Sequence, residues 1–189
     1  MARTKNYNRA DIIKVITQVF IEKGYESTSM ADLMDKTGLN KKSLYNEFGN
    51  KEAMFEIILA DFIAGQRAGI QPIFTRQPLG LKNIRDFFSY LDNRFADKGC
   101  LLTLSLNESA CISERSLEMI NQSIQGLEAG LRDNLSVLFD TARANSFARS
   151  LLAVMLGIAT LTRSAELRAN NLNAVHDLLN FIEASSEAG

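Results

Sequence analysis

The feature that most constrains this chain is the spacing of its apolar residues, which recur every three or four positions along nearly its whole length. The first segment shows the pattern clearly, since one helical face would carry Ile12, Val15, Ile16, Val19 and Phe20. No segment shows the strict alternation of a half-buried strand. Only two of the 189 residues are proline, so few positions interrupt a helix. The pattern predicts an all-α protein.

Turn-forming residues divide this pattern into helices. The first is predicted over 9–24, and the second lies between Ser29 and Gly38. Later helices are predicted over 41–47, 51–70, 81–96, 101–110, 113–139, 146–167 and 172–184. A loop beginning at Pro72 is expected after the fourth helix, because proline disfavours a continuing helix.

Two short helices joined by residues 37–40 have the proportions of a helix-turn-helix. Ser29 is the expected N-cap of the first helix, and Asp32 would complete an acidic version of the capping box. Gly38 permits a steep turn, and Asn40 is placed to cap the second helix. These local signals predict where each of the two helices begins and where the first ends.

The second helix of this pair separates an inner face from an outer face. Leu44 and Phe48 point inward and would anchor the helix, together with Leu33 and Leu39. The outer face carries hydrogen-bond donors on Lys41, Lys42, Tyr45 and Asn46. Long donors suit the phosphates and base edges of a DNA major groove. The alternatives are an ordinary solvated lysine face and a half-buried surface tyrosine.

Roughly residues 9–55 resemble the signature of the TetR family of bacterial regulators. The matching features are Phe20 followed by Gly24-Tyr25, the Thr28-Ser29 start of the second helix, Leu44-Tyr45 with Phe48, and Lys51-Glu52. The resemblance implies a three-helix, homeodomain-like helix-turn-helix domain over residues 1–50, here called the head. It also implies a helical ligand-binding and dimerisation domain over residues 51–189, here called the body.

The resemblance further implies which residues meet double-stranded DNA. The set consists of Thr28, Ser29, Lys41, Lys42, Ser43, Tyr45, Asn46 and Lys51. In the family, Tyr45 would meet the DNA backbone, and Lys51 would contact a phosphate with help from the positive end of its helix. Helix capping explains Thr28 and Ser29 equally well, and Asn46 also suits a position near a helix end.

Charge is unevenly distributed between these two domains. Residues 1–51 contain nine Lys or Arg against six Asp or Glu, whereas the remainder contains twelve against sixteen, for a net charge of −1. A basic head on an acidic body suits a polyanion that binds at one end only. A chance fluctuation of a few charges is the alternative.

Other classes of protein fit the sequence less well. The longest uncharged apolar stretch, 151–161, is far shorter than the roughly 20 residues of a membrane span, and the start lacks the apolar core of a signal peptide. The two cysteines make no disulfide framework, which favours a reduced, cytoplasmic protein. No catalytic or metal-ligand constellation stands out, so we expect no enzyme, cofactor or metal site. The alternatives are a helical enzyme with an incidental head and an adaptor that binds a polypeptide.

The C-terminal helices are expected to form a homodimer, as the resemblance implies. The segment from Phe147 to Leu161 is apolar on nearly all sides of its helix, which predicts burial on all sides. A second subunit would provide that burial, because 189 residues offer little core to surround such a helix. The alternative is a core helix within one subunit.

The body is also expected to hold a small-molecule inducer. The candidate pocket residues are Phe62, Phe88, Leu91, Phe95, Cys100 and Leu104. Plain core packing is the alternative for the aromatic stripe. We expect the fourth helix to be the only rigid link that carries the ligand signal to the head.

Cys100 lies in a Lys-Gly-Cys-Leu-Leu segment over residues 98–102. The segment resembles one found in a branch of TetR-like proteins, some of which sense electrophiles or oxidants. Lys98 and the positive end of a helix would both stabilise the thiolate. The alternative is a small buried hydrophobe. The resemblance implies a regulator, usually a repressor, that binds a near-palindromic operator as a dimer and is released by a small molecule or an electrophile.

Overall fold

The computed structural model describes residues 7–95, 100–161 and 165–187, and the side chains of 7–93, 100–161 and 173–187. Within these ranges the chain forms nine α-helices and no strand, which confirms the all-α prediction. The helices are α1 (Arg9–Lys23), α2 (Met30–Thr37), α3 (Lys41–Phe48), α4 (Lys51–Phe74), α5 (Leu81–Phe95), α6 (Leu101–Asn107), α7 (Glu114–Leu135), α8 (Thr141–Leu161) and α9 (Ala165–Glu187).

The head contains α1, α2 and α3, and its turns follow the predicted caps. The Ser29 hydroxyl accepts from the Asp32 N–H, and the Asp32 carboxylate accepts from the Ser29 N–H, which completes the capping box. Gly38 ends α2 in the left-handed conformation with a φ of 67°. The Asn40 side chain accepts from the N–H of Ser43 in the first turn of α3. The predicted helix-turn-helix is therefore confirmed in its local detail.

Two apolar cores lie along the molecule. The core at the head end combines the head with the first half of α4 and with parts of α6 and α7, and Leu33, Leu44 and Phe55 are buried in it. The second core lies between the second half of α4, α5, α7, α8 and α9, around residues such as Ile84 and Leu131. α4 contributes to both cores, so the domain boundary after residue 50 stays a prediction.

The loop predicted to begin at Pro72 is wrong, because α4 continues through Pro72 to Phe74. Proline removes one backbone hydrogen bond, but its fixed φ is close to the helical value, and only two residues of α4 follow Pro72, so little of the helix lies beyond the interruption. Phe74 is buried and lies against Phe87, with 4.6 Å between the ring centroids. This aromatic contact favours the added turn over an early loop.

Other helix ends in the body also differ from the sequence prediction. α6 ends at Asn107 and α7 at Leu135, each earlier than predicted. α8 begins at Thr141 and α9 at Ala165, again earlier than predicted. Phe139 is buried in the turn between α7 and α8. Its apolar character therefore reflects packing of the turn and not a longer α7.

The expectation that the fourth helix alone links head and body is wrong, because α6 also reaches the head. Glu108 directly follows α6 and accepts hydrogen bonds from the N–H groups of Tyr25 at 2.6 Å and Glu26 at 3.2 Å. Gly24 permits this approach, since its φ is 82° and a Cβ there would lie 2.6 Å from a Glu108 carboxylate oxygen. Head and body are thus joined by α4 and by this carboxylate at the end of α6.

One helix in the described part of the chain, α8, is long and apolar enough by length and composition to cross a membrane. Our prediction of no span considered only an uninterrupted apolar stretch, which is shorter than this helix. α8 packs against α7 and α9 and buries Ala144, Ala148 and Leu151. Only 22% of its most apolar 18-residue window is buried by the rest of the chain, so the predicted burial on all sides does not occur in the single chain.

Candidate DNA-binding face and inner cavity

The outer face of α3 is presented to solvent. Its exposed side chains are Lys41, Lys42, Tyr45 and Asn46. Tyr45 keeps 41% of its surface accessible, and the Lys41 ammonium lies 5.9 Å from the centroid of its ring. The donors predicted to meet DNA therefore share one open surface and are not packed against the protein's own core.

α3 is fixed to the rest of the head by its inner face and by a polar bridge to α1. Leu44 and Phe48 are buried. The Arg9 guanidinium lies 3.2 Å from the Glu47 carboxylate and 5.2 Å from the centroid of the Phe48 ring. Anchoring of this kind fixes the direction in which the outer face of α3 points, as contacts to base edges would require.

Three other predicted contact residues are engaged within the head. Thr28 is 2% exposed, and its hydroxyl donates to the Gly24 carbonyl oxygen at 2.6 Å. The Ser29 hydroxyl belongs to the capping box with Asp32. Ser43 is half-buried in the first turn of α3. Local hydrogen bonding therefore accounts for Thr28 and Ser29, and the Thr28 side chain does not reach the surface.

Lys51 joins α4 to the turn before α2. Its ammonium donates to the carbonyl oxygens of Thr28 at 2.9 Å and Glu26 at 3.2 Å, and it lies 4.5 Å from the centroid of the Tyr25 ring. Two of its three N–H donors are thus directed at the protein. The phosphate contact of Lys51 stays a prediction, and the structure adds a role in holding the turn before α2.

An ion pair reinforces the capping box of α2. Lys23 Nζ lies 2.5 Å from Asp32 Oδ1. Hydrogen bonds from Lys23 and from Ser29 hold the pKa of Asp32 well below its usual 3.8. The carboxylate is therefore charged at neutral pH and ties the end of α1 to the start of α2.

An inner cavity of about 420 Å³ lies in the body, between α4, α5, α6, α7, α8 and α9. Most of its wall is apolar, as the lining residues Leu102, Leu127, Leu156 and Leu179 illustrate. A volume of this size with a mainly apolar wall suits a small organic molecule.

Phe88, Leu91 and Cys100 are the predicted pocket residues that line this cavity. Phe62 packs against the core at the head end instead, and Leu104 is not part of the cavity wall. The side chain of Phe95 lies outside the described residues. Helical spacing identifies the inner face of a helix, but it does not indicate which inner side chains border a void.

Polar side chains that the sequence analysis missed form the inner end of the cavity. Gln66 of α4 and Thr103 of α6 are 4% and 6% exposed. The side chains of Gln66 and Thr103 both lie near the thiol of Cys100, and each favours its thiolate form. One signal could have found Gln66, since it lies at helical spacing between the apolar residues Phe62 and Ile70. A buried polar residue on such a face needs a partner.

Cys100 occupies the N-cap position of α6 and is buried at the inner end of the cavity. Burial raises the pKa of its thiol above 9.0, although the N–H groups of Thr103 and Leu102 act in the opposite direction. The N-terminal N–H groups of α6 favour the thiolate, as predicted, but desolvation outweighs them and the net pKa is raised. Lys98, expected beside it, lies outside the described residues. Cys111, in contrast, is exposed.

The helix-turn-helix and the segments around it match a known family. Residues 12–58 match the family model described as bacterial regulatory proteins, tetR family. This chain carries a TetR-family helix-turn-helix domain. The TetR-type relatives include the HTH-type transcriptional repressor ComR of Escherichia coli (strain K12), 30% identical over 124 residues, which are 63% of this chain. The chain spans only 58% of the length of ComR.

The likeness to TetR-type proteins also extends beyond the head. An uncharacterized HTH-type transcriptional regulator in the lacX 3' region of Lactococcus lactis subsp. lactis is 23% identical over 183 residues, covering 93% of this chain and 91% of that protein. The structure of a cysteine variant of the TetR-family regulator CifR, complexed with a 26-bp operator duplex, has a TM-score of 0.82 at 19% identity. It covers 95% of this chain and 98% of CifR, so the TetR-type fold includes the body.

Proposed function

We propose that this protein is a TetR-type transcriptional repressor that binds operator DNA as a homodimer and leaves it when a small molecule occupies the inner cavity. The observation that carries the proposal is the exposed outer face of α3, where two lysines, a tyrosine and an asparagine stand on a helix anchored by Leu44 and Phe48. Two similar proteins support the proposal: ComR is named a repressor, and the structure of a CifR variant contains operator DNA.

The outer face of α3 suits a major groove. Lys41 and Lys42 occupy the first turn of the helix, the part of a recognition helix that meets base edges and neighbouring phosphates. The Tyr45 hydroxyl would donate to a phosphate oxygen, and the Asn46 carboxamide is able to pair with an adenine edge. Because the lysines neutralise phosphates, binding would weaken as salt rises.

The homodimer is proposed to form through α8 and α9. Ala153, Gly157 and Thr160 lie on an exposed face of α8, and a Cβ added to Gly157 would meet no atom within 4 Å. Phe181 of α9 keeps 63% of its surface exposed. Small residues allow close approach, so a second subunit would cover this apolar surface. Two heads joined in this way would meet successive major grooves about 34–36 Å apart, which requires a near-palindromic operator.

The ligand response is proposed to run through α4 and α6. Gln66 of α4 and Thr103 of α6 line the cavity, while the other end of each helix contacts the head. Movement of α6 on ligand binding would shift Glu108 and the backbone of Tyr25 that it holds. A ligand acts only to the extent that it prefers one arrangement of the heads. Cys100 is buried, and burial disfavours its thiolate, so the proposed trigger is reversible binding.

The test is a mobility-shift titration of the full chain on duplexes selected from random sequence. Tyr45→Ala is expected to weaken binding at least about thirtyfold, since each of the two heads loses one contact to DNA and each contact is worth about 1–3 kcal/mol. Lys41→Ala combined with Lys42→Ala removes four lysines from the two heads, so it should also lower the slope of log affinity against log salt by about four.

Lys82→Ala is the matched control, because it removes a positive charge from an exposed side chain of α5 in the body. It should bind DNA as the parent protein does. Parent-like affinity in the Tyr45 and double-lysine variants would count against the α3 face. Absence of any salt-dependent duplex binding would favour the polypeptide adaptor.

A further inference from the structure

The inner end of the cavity is polar but uncharged. Gln66, Cys100 and Thr103 are all buried there, and burial keeps the thiol protonated by raising its pKa. Elsewhere the wall contains Arg85 and Asp92, which are partly exposed, and His176, which is exposed. The guanidinium of Arg85 is the permanent cation among them. It already donates to Glu183 Oε2 at 2.8 Å and to Asn180 Oδ1 at 3.0 Å. Because the side chains at the inner end are neutral, an anionic group placed there would lose its water without gaining a cation.

The hydroxyl of Thr103 supplies the second observation. Among the buried polar side-chain atoms that the structure describes, the Thr103 hydroxyl oxygen is the one without a hydrogen-bond partner. A neighbour on the same helix provides the contrast, since the buried Ser105 hydroxyl donates to the Leu101 carbonyl oxygen at 2.7 Å. Buried polar groups are almost always paired, because an unmade hydrogen bond is costly. The Thr103 hydroxyl is therefore available to a molecule that enters the cavity.

We propose that the cavity binds an uncharged, mainly apolar carbonyl compound whose oxygen accepts hydrogen bonds from the Thr103 hydroxyl and the Gln66 carboxamide. Both side chains are able to donate, and one carbonyl oxygen accepts two hydrogen bonds. Apolar side chains such as Leu156 and Leu179 cover the remainder of the molecule. The inference rests on the proposed function only in giving this molecule the role of inducer.

The experiment uses three probes of nearly equal shape: 2-acetylnaphthalene, a ketone; 2-isopropylnaphthalene, a hydrocarbon; and 2-naphthoate, a carboxylate. Each is equilibrated by dialysis against the full chain without DNA, and the bound fraction is determined from naphthalene fluorescence. The ketone is expected to bind tightest. The hydrocarbon should bind about fivefold more weakly because it gains no hydrogen bond from the buried donors, and the carboxylate should bind weakest.

Variants of α6 separate the hydrogen bond from packing. Thr103→Val removes the hydroxyl at nearly constant shape, so ketone affinity should fall about fivefold while hydrocarbon affinity is unchanged. Thr103→Ser should restore the preference for the ketone. Ser105→Ala is the matched control, because the Ser105 hydroxyl is bonded within α6 and its removal should change neither affinity.

Three results would overturn the assignment. They are a carboxylate that binds as tightly as the ketone, equal loss of ketone and hydrocarbon in Thr103→Val, and binding by none of the probes. Since DNA is absent from this experiment, such a failure would leave a positive mobility-shift result standing. Loss of duplex binding in the mobility-shift titration would likewise leave probe binding unaffected, so the two proposals fail separately.

Discussion

The head and the body differ in how they use their apolar side chains. In the head, Ile16, Leu33 and Leu44 have no exposed surface, and the polar side chains of α3 stand on the outside. The body instead contains a cavity of about 420 Å³, with exposed residues such as His176 in its wall and buried polar groups at one end. A filled core holds one geometry, whereas helices around a void are able to shift with its occupancy. The comparison indicates a head with a filled core attached to a body whose helices surround a void.

The largest expected effect tests whether the two cores differ in this way. Leu44→Ala should destabilise the protein by about 3 kcal/mol, because it opens a cavity in a filled core. Leu156→Ala in the cavity wall should cost clearly less, because that side chain already borders a void and is only half-buried. Urea unfolding followed by circular dichroism measures both. Equal losses would contradict the contrast between a filled head and a hollow body.

The two cysteines provide the next test, since one lies in the cavity and the other on the surface. Iodoacetamide should modify Cys111 at least about tenfold faster than Cys100, because Cys111 is exposed whereas Cys100 is buried and is reached only through the cavity; the pKa of both thiols is raised, so exposure makes the difference. Peptide mass spectrometry over time measures the two rates. In urea the rates should converge. Faster modification of Cys100 in the folded protein would show that the cavity is more open and its thiol more acidic than this structure indicates.

A smaller effect is expected where head and body meet. Glu108→Gln should destabilise the protein by about 1–2 kcal/mol, because the amide group of glutamine would face a backbone N–H that the carboxylate now accepts. Glu118→Gln, at an exposed position of α7, is the matched control and should have little effect. Thermal unfolding compares the two variants. If Glu108→Gln had the same thermal stability as the parent protein, the carboxylate of Glu108 would not contribute to holding the head, and α4 would remain as the link between head and body.

The smallest expected effect concerns pH and the head alone. The folded pKa of Asp32 lies below its usual 3.8, so its contribution to stability is present above about pH 4 and is lost as pH falls towards the folded pKa. The difference in melting temperature between the parent protein and Asp32→Asn should therefore be largest near neutral pH and shrink in acid. Asp35→Asn, which removes the same charge from an exposed position of α2, should show a smaller difference at neutral pH. If the difference in melting temperature between the parent protein and Asp32→Asn did not change with pH, the ion pair with Lys23 would not be the cause of the stabilisation.

The accuracy of the sequence predictions follows the same division. In the head, the caps at Ser29, Gly38 and Asn40 involve neighbours only a few positions away, so local sequence was enough to predict them. In the body, the continuation of α4 through Pro72 depends on the contact of Phe74 with Phe87, which are on different helices. Tertiary packing therefore decided the helix ends that local signals placed elsewhere.

The candidate sites show the same contrast. The outer face of α3 could be predicted, because side chains on a short helix keep the order of the sequence and Leu44 marks the inner side. The cavity could be predicted only in part, since Phe88, Leu91 and Cys100 line it but Phe62 does not. Whether an inner side chain meets another side chain or a void depends on helices that are distant in the chain.

The sequence by itself determined the helical class, the boundaries of the helix-turn-helix and the donors of its outer face, because periodicity and capping act over a few residues. Only the tertiary structure decided that Gln66 and Thr103 line the same cavity and that Glu108 reaches the backbone of the head. It also decided that the pKa of Cys100 is raised, since solvation depends on everything that surrounds a side chain.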